Sequence, residues 1–153
     1  MTTIGVISDT HGLLRPEAVR LLAGVDLILH AGDIGSPDVI SALNAIAPVT
    51  AVRGNNDRDG WAASYPEDAV LEVGGRTLYM LHDLKELNLD PRAAGFDAVV
   101  AGHSHKPKVE TVDGVLYLNP GSAGPRRFTL PIALAMLDIA DGDLHPRIHE
   151  IEL

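Results

Sequence analysis

The chain contains no cysteine. That absence removes disulfides, zinc–thiolate sites, iron–sulfur clusters and thiol nucleophiles together, and it fits a reducing compartment. Positive charge is also scarce. Twelve Lys and Arg stand against 21 Asp and Glu, for a formal net charge of −9. Phosphate-backbone binding needs concentrated Lys and Arg, yet here the cations are scattered, with Arg126–Arg127 their one adjacent pair. Nucleic acid and anionic membrane surfaces are therefore not expected partners. No apolar run approaches the roughly 18 residues that span a bilayer. Met1-Thr2-Thr3 lacks the basic opening of a secretory signal. The expected location is cytoplasmic.

What is present suits one compact domain over residues 1–153, with 46% hydrophobic and 22% charged residues. Ile4–Ser8 is a β-branched run that reads as a buried strand. Pro16 opens a helix whose apolar face is Ala18, Val19, Leu21 and Leu22. Asp26–Ala31 is a second strand. Ser36-Pro37 is an N-cap followed by a first-turn proline, and Val39, Ile40, Leu43 and Ile46 give the next helix its spacing. Val49–Val52 completes a βαβαβ unit with parallel strands. Beyond it, hairpins are predicted across Gly74-Gly75, Asp113-Gly114 and Asp141-Gly142. Ala98–Ala101 is a further strand, and a short polar, helical stretch covers about 84–94. Parallel units followed by hairpins suggest two facing sheets with helices outside.

The polar residues of interest share one address, the carboxyl ends of predicted strands, where ligand sites of sheet-based folds gather. Asp9 and His11 follow the first strand, Asp33 the second and Asn55 the third. His82 follows the strand ending at Leu81, and His103 and His105 follow Ala98–Ala101. Taken singly, Asp-x-His, Gly-Asp and Gly-Asn are ordinary turn sequences. Taken together, seven oxygen and nitrogen donors without a cation would be costly to bury. One or two divalent metals are the simplest compensation, and two ions sharing a carboxylate would use all seven. Imidazole, carboxylate and amide without thiolate suit Mn, Fe, Co, Ni or Zn.

The string Asp9-x-His11, Gly32-Asp33, Gly54-Asn55-x-Asp57, His82, Gly102-His103-x-His105 resembles the calcineurin-like metallophosphoesterases. Chain length and the Asn119-Pro120-Gly121-Ser122 segment resemble most the small prokaryotic YfcE-type phosphodiesterase branch. The resemblance implies an α/β fold, a four-layer α/β/β/α sandwich of two mixed sheets flanked by helices. It implies two divalent ions, Mn²⁺ foremost with Ni²⁺, Fe²⁺, Co²⁺ or Zn²⁺ as alternatives. Asp9, His11 and His105 would hold one ion, Asn55, His82 and His103 the other, and Asp33 would bridge both. The implied reaction is hydrolysis of a small phosphodiester by a hydroxide bridging the metals, with Asp33, Asn55 and Asp57 as catalytic candidates. Asp57 has a second reading, as a residue that orients its loop. Homo-oligomerisation is left open.

Two positions depart from the family pattern. Asn56 stands where many members carry a histidine thought to assist the leaving group. An amide is no general acid at neutral pH, which predicts a preference for diesters with good leaving groups. Asp83 stands where glycine is common, either as a cap for the following helix or as a carboxylate on a ligand histidine. His30 is expected in the core or behind the ligands. Ser8, Ser104 and Ser122 are expected to be structural, and His145 and His149 to face solvent. Arg126 or Arg127 could touch substrate. Trp61 and Tyr65 could border the cleft or a dimer contact. The rival readings are a protein-interaction scaffold on the same fold, as in the phosphoesterase-like subunit of the retromer coat, and a phosphomonoesterase or nucleotidase.

Overall fold

The protein is described from a computed structural model covering residues 1–153. The elements run β1 (Thr2–Ile7), α1 (Pro16–Leu22), β2 (Leu27–His30), α2 (Pro37–Asn44) and β3 (Val49–Ala51). There follow β4 (Asp68–Val73), β5 (Arg76–Leu81), β6 (Ala98–Val100), β7 (Lys108–Val112), β8 (Val115–Asn119), β9 (Ala133–Ala140) and β10 (Asp143–Glu150). The first sheet has the order β10-β9-β1-β2-β3 and the second β4-β5-β6-β8-β7. Both are mixed. In the first, β1, β2 and β3 are parallel and β9 runs against β1. In the second, β5, β6 and β8 are parallel, with β4 and β7 antiparallel at the edges.

Alternation along the strands builds the layers. Ile4 and Val6 of β1 join Leu29, Leu78, Met80 and Val100 in a buried layer between the sheets. Ile7 and Ile28 face the other way, against Ala18 and Leu22 of α1 and Val39 and Leu43 of α2. The Ser36 side chain accepts the Asp38 N–H, and Pro37 sits at the start of α2, as its sequence predicts. The three hairpin turns place both central residues at positive φ, including Asp113 (51°) and Asp141 (53°).

The fourth layer is thinner than expected. The outer face of the second sheet buries Tyr79, Leu81, Val99 and Val115 under Leu87 and Phe96. Tyr79 and Phe96 stack with ring centroids 4.9 Å apart. The covering segment is a 3₁₀ turn, Leu84–Glu86, continued by irregular chain rather than an α-helix. Asp90-Pro91 and Gly95 interrupt it within a span too short to sustain helical hydrogen bonding.

Three peripheral expectations resolve. Trp61 and Tyr65 do not line the cavity that holds Asn55, His82 and His103; they meet edge to face, centroids 6.1 Å apart, and pack against the helix-side core. His145 is exposed, but His149 is half-buried with a buried, unpartnered Nε2. No helix is long and apolar enough to cross a membrane.

Candidate metal centre

The parallel strands deliver their carboxyl-terminal loops to one edge of the inter-sheet layer, and the loops are sewn together there. Asp9 N–H donates to Gly32 O at 2.9 Å, His11 N–H to Asp33 O at 2.9 Å, and Gly102 N–H to His82 O at 2.9 Å. His103 N–H donates to Asp9 Oδ2 at 3.0 Å, tying the second sheet to the first. Such close approach requires glycine. A side chain at Gly54 would collide with the Asp33 backbone and carboxylate, and one at Gly102 with Ser8 and Asp9.

The backbone at the donors is itself unusual. Asp9 (φ 56°), His11 (47°), Asp33 (54°), His103 (70°) and His105 (61°) all adopt the left-handed conformation. They are five of the eight non-glycine residues that do so, the others being Asp113, Asp141 and Phe128. Each such residue costs roughly 1–2 kcal/mol, a strain that persists where the surroundings dictate side-chain direction.

Two donor groups result. Ligand atoms of Asp9, His11 and His105 lie within 4.8 Å of one another, and so do those of Asp33, His82 and His103. Asp33 Oδ2 lies between the groups, 3.2 Å from His82 Nε2 and 3.7 Å from His11 Nε2. Asp9 Oδ1 is buried without a hydrogen-bond partner, although His105 Nε2 (3.5 Å), His82 Nε2 (3.8 Å) and His11 Nε2 (3.9 Å) converge on it. An orphaned buried carboxylate oxygen among imidazoles is unfavourable without a cation. With only oxygen and imidazole donors and no sulfur, the set fits a first-row divalent ion. Asn55 is exposed beside the second group, lining a cavity of about 490 Å³ with Gly54, His82 and His103.

The electrostatics follow from this crowding. Burial alone would raise the Asp33 and Asp9 pKa values. For Asp33 the hydrogen bonds of His82 and the Asn56 N–H, with the nearby imidazoles, outweigh it and hold the carboxyl well below its ordinary range. For Asp9 the adjacent His105 and His82 imidazoles and the Ser8 hydroxyl outweigh burial, and its pKa is lowered. Burial likewise opposes a charged His82, but Asp33 and Asp9 prevail and its pKa is raised. His82 Nδ1 donates to Ala31 O at 2.7 Å. A carbonyl can only accept, so Nε2 is the nitrogen turned toward Asp33.

A ring of supporting residues orients the donors. Ser8 Oγ donates to Asp9 Oδ2 at 2.7 Å, and Ser122 Oγ to Asp9 O at 3.0 Å. Asn119 Nδ2 donates to Gly102 O at 3.0 Å and to Ser104 Oγ at 3.1 Å, steadying the His103–His105 loop. Fully buried His30 accepts the Gly32 N–H at Nδ1 (3.1 Å), so Nε2 carries the proton toward Thr10 Oγ1 (3.0 Å). Burial lowers its pKa to about 4, so it is neutral.

Three sequence-based roles change or divide. Asp57, given both a catalytic and a loop-orienting reading, accepts three backbone N–H groups: Gly54 (2.9 Å), Ile34 (3.0 Å) and Gly35 (3.0 Å). Its carboxylate clamps the loops after β2 and β3, which is the loop-orienting reading. Asn56 is turned to Asp33, donating its backbone N–H to Oδ1 (3.0 Å) and its side-chain amide to Oδ2 (3.1 Å). Asp83 serves both proposed ends: Oδ1 accepts the Lys85 N–H at 3.0 Å, and Oδ2 faces His103 Nε2 at 3.6 Å. Sequence reasoning did not assign Asn119 or the amide of Asn56 to these contacts, because an Asn in a turn carries no pattern that distinguishes a long-range bond from a local one.

Comparison with known proteins agrees with this architecture. Residues 2–142 match the calcineurin-like phosphoesterase superfamily domain. A probable metallophosphoesterase of Methanothermobacter thermautotrophicus is 36% identical over 145 residues, 87% of this chain and 84% of that protein. The phosphodiesterase MJ0936 of Methanocaldococcus jannaschii is 29% identical over 136 residues, 77% of this chain and 82% of that protein. Among solved structures, a novel archaeal phosphodiesterase superposes with TM-score 0.80 at 25% identity, covering 97% of this chain and 100% of that one. Vps29 of Chaetomium thermophilum superposes with TM-score 0.79 at 19% identity, covering 99% and 97%, a likeness of fold. By domain match, sequence relatives and fold, the chain belongs to the calcineurin-like phosphoesterase superfamily, in its small prokaryotic YfcE-type branch.

Proposed function

We propose that the protein is a metal-dependent phosphoesterase that hydrolyses phosphodiesters. One observation carries the reading: the Asp33 carboxylate lies between two donor groups, 3.2 Å from His82 Nε2 and 3.7 Å from His11 Nε2. In this reading Asp9, His11 and His105 hold one divalent ion, Asn55, His82 and His103 hold a second, and Asp33 is shared. Mn²⁺ is the first choice, with Ni²⁺, Fe²⁺, Co²⁺ or Zn²⁺ as alternatives. Two bound divalent ions supply a water made nucleophilic at neutral pH and positive charge for in-line displacement at phosphorus.

The protein's own residues set the conditions for that chemistry. Two N–H donors of Asn56 fix the plane of the Asp33 carboxylate. The Ala31 carbonyl holds the His82 proton on Nδ1. Asp57 locks the two loops that carry Asp33 and Asn55. Asn56 faces Asp33 and offers no proton to a departing oxygen, which supports the expected preference for good leaving groups. The phosphodiesterase names of one relative and one structural neighbour support the substrate class. A scaffold on this fold would have no need of the unpartnered Asp9 Oδ1 or of five strained donors. The test is hydrolysis by metal-stripped protein, re-supplied with Mn²⁺, Ni²⁺, Co²⁺, Zn²⁺ or Mg²⁺, over aryl phosphodiesters and monoesters. Restoration by Mn²⁺ with diesters preferred is expected; full activity in protein shown by elemental analysis to be metal-free would overturn the reading.

A further inference from the structure

A second cavity opens beside the candidate centre, on the outer face of the second sheet, with a volume of about 520 Å³. Its floor includes Val99, Ala101 and Tyr117. It shares two wall residues, Asp83 and His103, with the 490 Å³ cavity that contains Asn55 and His82. The facing pair His103 Nε2 and Asp83 Oδ2, 3.6 Å apart, is thus a partition between the two.

The two cavities carry opposite charge. The one at Asn55 is bordered by Glu67, Asp68, Asp83 and Glu86 against Arg53 alone, and Arg53 is paired with Glu67 at 3.1 Å. The other is bordered by Lys85, Lys106, Lys108 and Arg127, with Asp83 its single acid. In a chain with only 12 Lys and Arg and net charge −9, a third of the cations meet around one hollow. Lys108 is neutralised by Glu110 at 2.7 Å. Lys85, Lys106 and Arg127 are exposed and make no ion pair. Unpaired like charges around a concave surface repel one another and focus a positive field into it. An anion relieves that repulsion, and the guanidinium suits two-point contact with phosphate.

We propose that this basic cavity is a substrate subsite for a second anionic group, so that the preferred phosphodiester carries a further phosphate on one of its alcohols. The inference rests on the phosphodiesterase reading and adds the substrate class to it. The scissile phosphate occupies the centre at His103, and the additional phosphate lies beyond the Asp83–His103 partition among Lys85, Lys106 and Arg127. Tyr117 and the apolar floor accept the uncharged part of the same alcohol. The acidic cavity on the other side excludes the additional anion, so the two sides of the centre sort the two ends of the diester.

The test compares two aryl diesters, the p-nitrophenyl ester of thymidine 5′-phosphate and the same compound bearing a 3′-phosphate, in the wild type and in a Lys85→Gln/Arg127→Gln double variant. The wild type is expected to show the lower KM for the 3′-phosphorylated ester. The double variant should raise that KM about tenfold, as two partly exposed charge contacts predict, and leave kinetics on the unphosphorylated ester unchanged. Lys108→Gln, which removes a cation already paired, should have the smaller effect. In parallel, calorimetric titration with thymidine 3′,5′-bisphosphate and thymidine 5′-monophosphate reads binding without hydrolysis. The bisphosphate should bind more tightly to the wild type and lose that advantage in the double variant and at high salt. If neither ester is cleaved, the phosphodiesterase reading fails while the titration still decides the subsite. If both are cleaved with equal KM and the bisphosphate has no advantage, the subsite is overturned and the enzyme reading stands.

Discussion

At the scale of single residues, the position of Asp33 is the most consequential, because its two oxygens meet Asn56, His82 and His11 at once. Asp33→Asn removes a charge from both donor groups and places an NH₂ against the Asn56 donors. Turnover is expected to fall at least about 10²-fold, with loss of metal, the scale on which electrostatic stabilisation in a site acts. His145→Ala, at an exposed position on β10, should leave metal content and turnover unchanged. Metal analysis and kinetics on both variants decide it, and a two-metal Asp33→Asn protein with normal turnover contradicts the assignment. Asn56 works through Asp33, so Asn56→Ala should slow aryl and alkyl diesters by the same factor. A loss confined to poor leaving groups would place Asn56 at the departing oxygen instead.

His30 supplies the second residue-scale prediction, one of pH. Its pKa is lowered to about 4 by burial, below an ordinary value of 6.5. The unfolded chain therefore binds a proton between those values that the folded chain refuses, and stability falls as pH drops from 6.5 toward 4. The full effect is on the order of 3 kcal/mol. His82 has the opposite sign in metal-free protein. Its raised pKa contributes stability that is complete below 6.5 and is lost as pH rises through the folded value. Urea melts of metal-free wild type and His30→Gln at pH 4–7 separate the two. The variant should lose less stability toward acid, and identical slopes would show that His30 is not the group held neutral.

At the scale of elements, the strand ends matter through the loops they launch. Gly54 follows β3 and lies against Asp33; a methyl group there collides with backbone as well as carboxylate. Overpacking of this kind costs about 1–3 kcal/mol, and the displaced loop carries Asn55. Gly60, in the 3₁₀ helix Gly60–Ser64, has open space around a would-be methyl and no positive φ. Gly60→Ala should be neutral or stabilise by about 0.4–1 kcal/mol. Thermal melts with and without Mn²⁺ test the pair. Gly54→Ala is expected to lower both the metal-free Tm and the upward shift that Mn²⁺ produces, whereas Gly60→Ala lowers neither.

At the scale of the whole molecule, an acidic chain that handles phosphate needs positive charge at the site from bound ions, whose own charge dominates their surroundings. Mn²⁺ should therefore raise Tm in a concentration-dependent way, by binding the folded state alone. Leaving-group dependence belongs to this scale too, since Asn56 rather than a histidine directly follows Asn55 and cannot protonate the departing oxygen. General-acid help is worth about 10²–10⁴-fold, so turnover on alkyl diesters should trail aryl diesters by that order. A leaving-group series measures the gap, and turnover indifferent to alcohol pKa would mean that another group supplies the proton.

The sequence by itself determined the strands, the hairpins and the shared address of the donors. Those follow from local rules: period-two burial, Gly-containing turns, and polar residues that end a strand at the edge of a core. It also singled out candidate donors, and six of them, Asp9, His11, His105, Asp33, His82 and His103, fall into the two groups of the structure. Tertiary structure alone decided how those donors group, because ligand atoms from β1 and β6 meet only when the two sheets face each other. It decided that the carboxylate of Asp57 faces backbone N–H groups and the amide of Asn56 faces Asp33, contacts of a carboxylate and an amide that any turn could also have satisfied locally. It replaced a helical outer layer at 84–94 by a 3₁₀ turn and irregular chain, where Tyr79–Phe96 stacking covers the sheet in place of a helix face. Scattered cations became a basic cavity for the same reason: Lys85, the neighbouring Lys106 and Lys108, and Arg127 come from three separate stretches of the chain that meet only in space, a property of sheet order that no local pattern encodes.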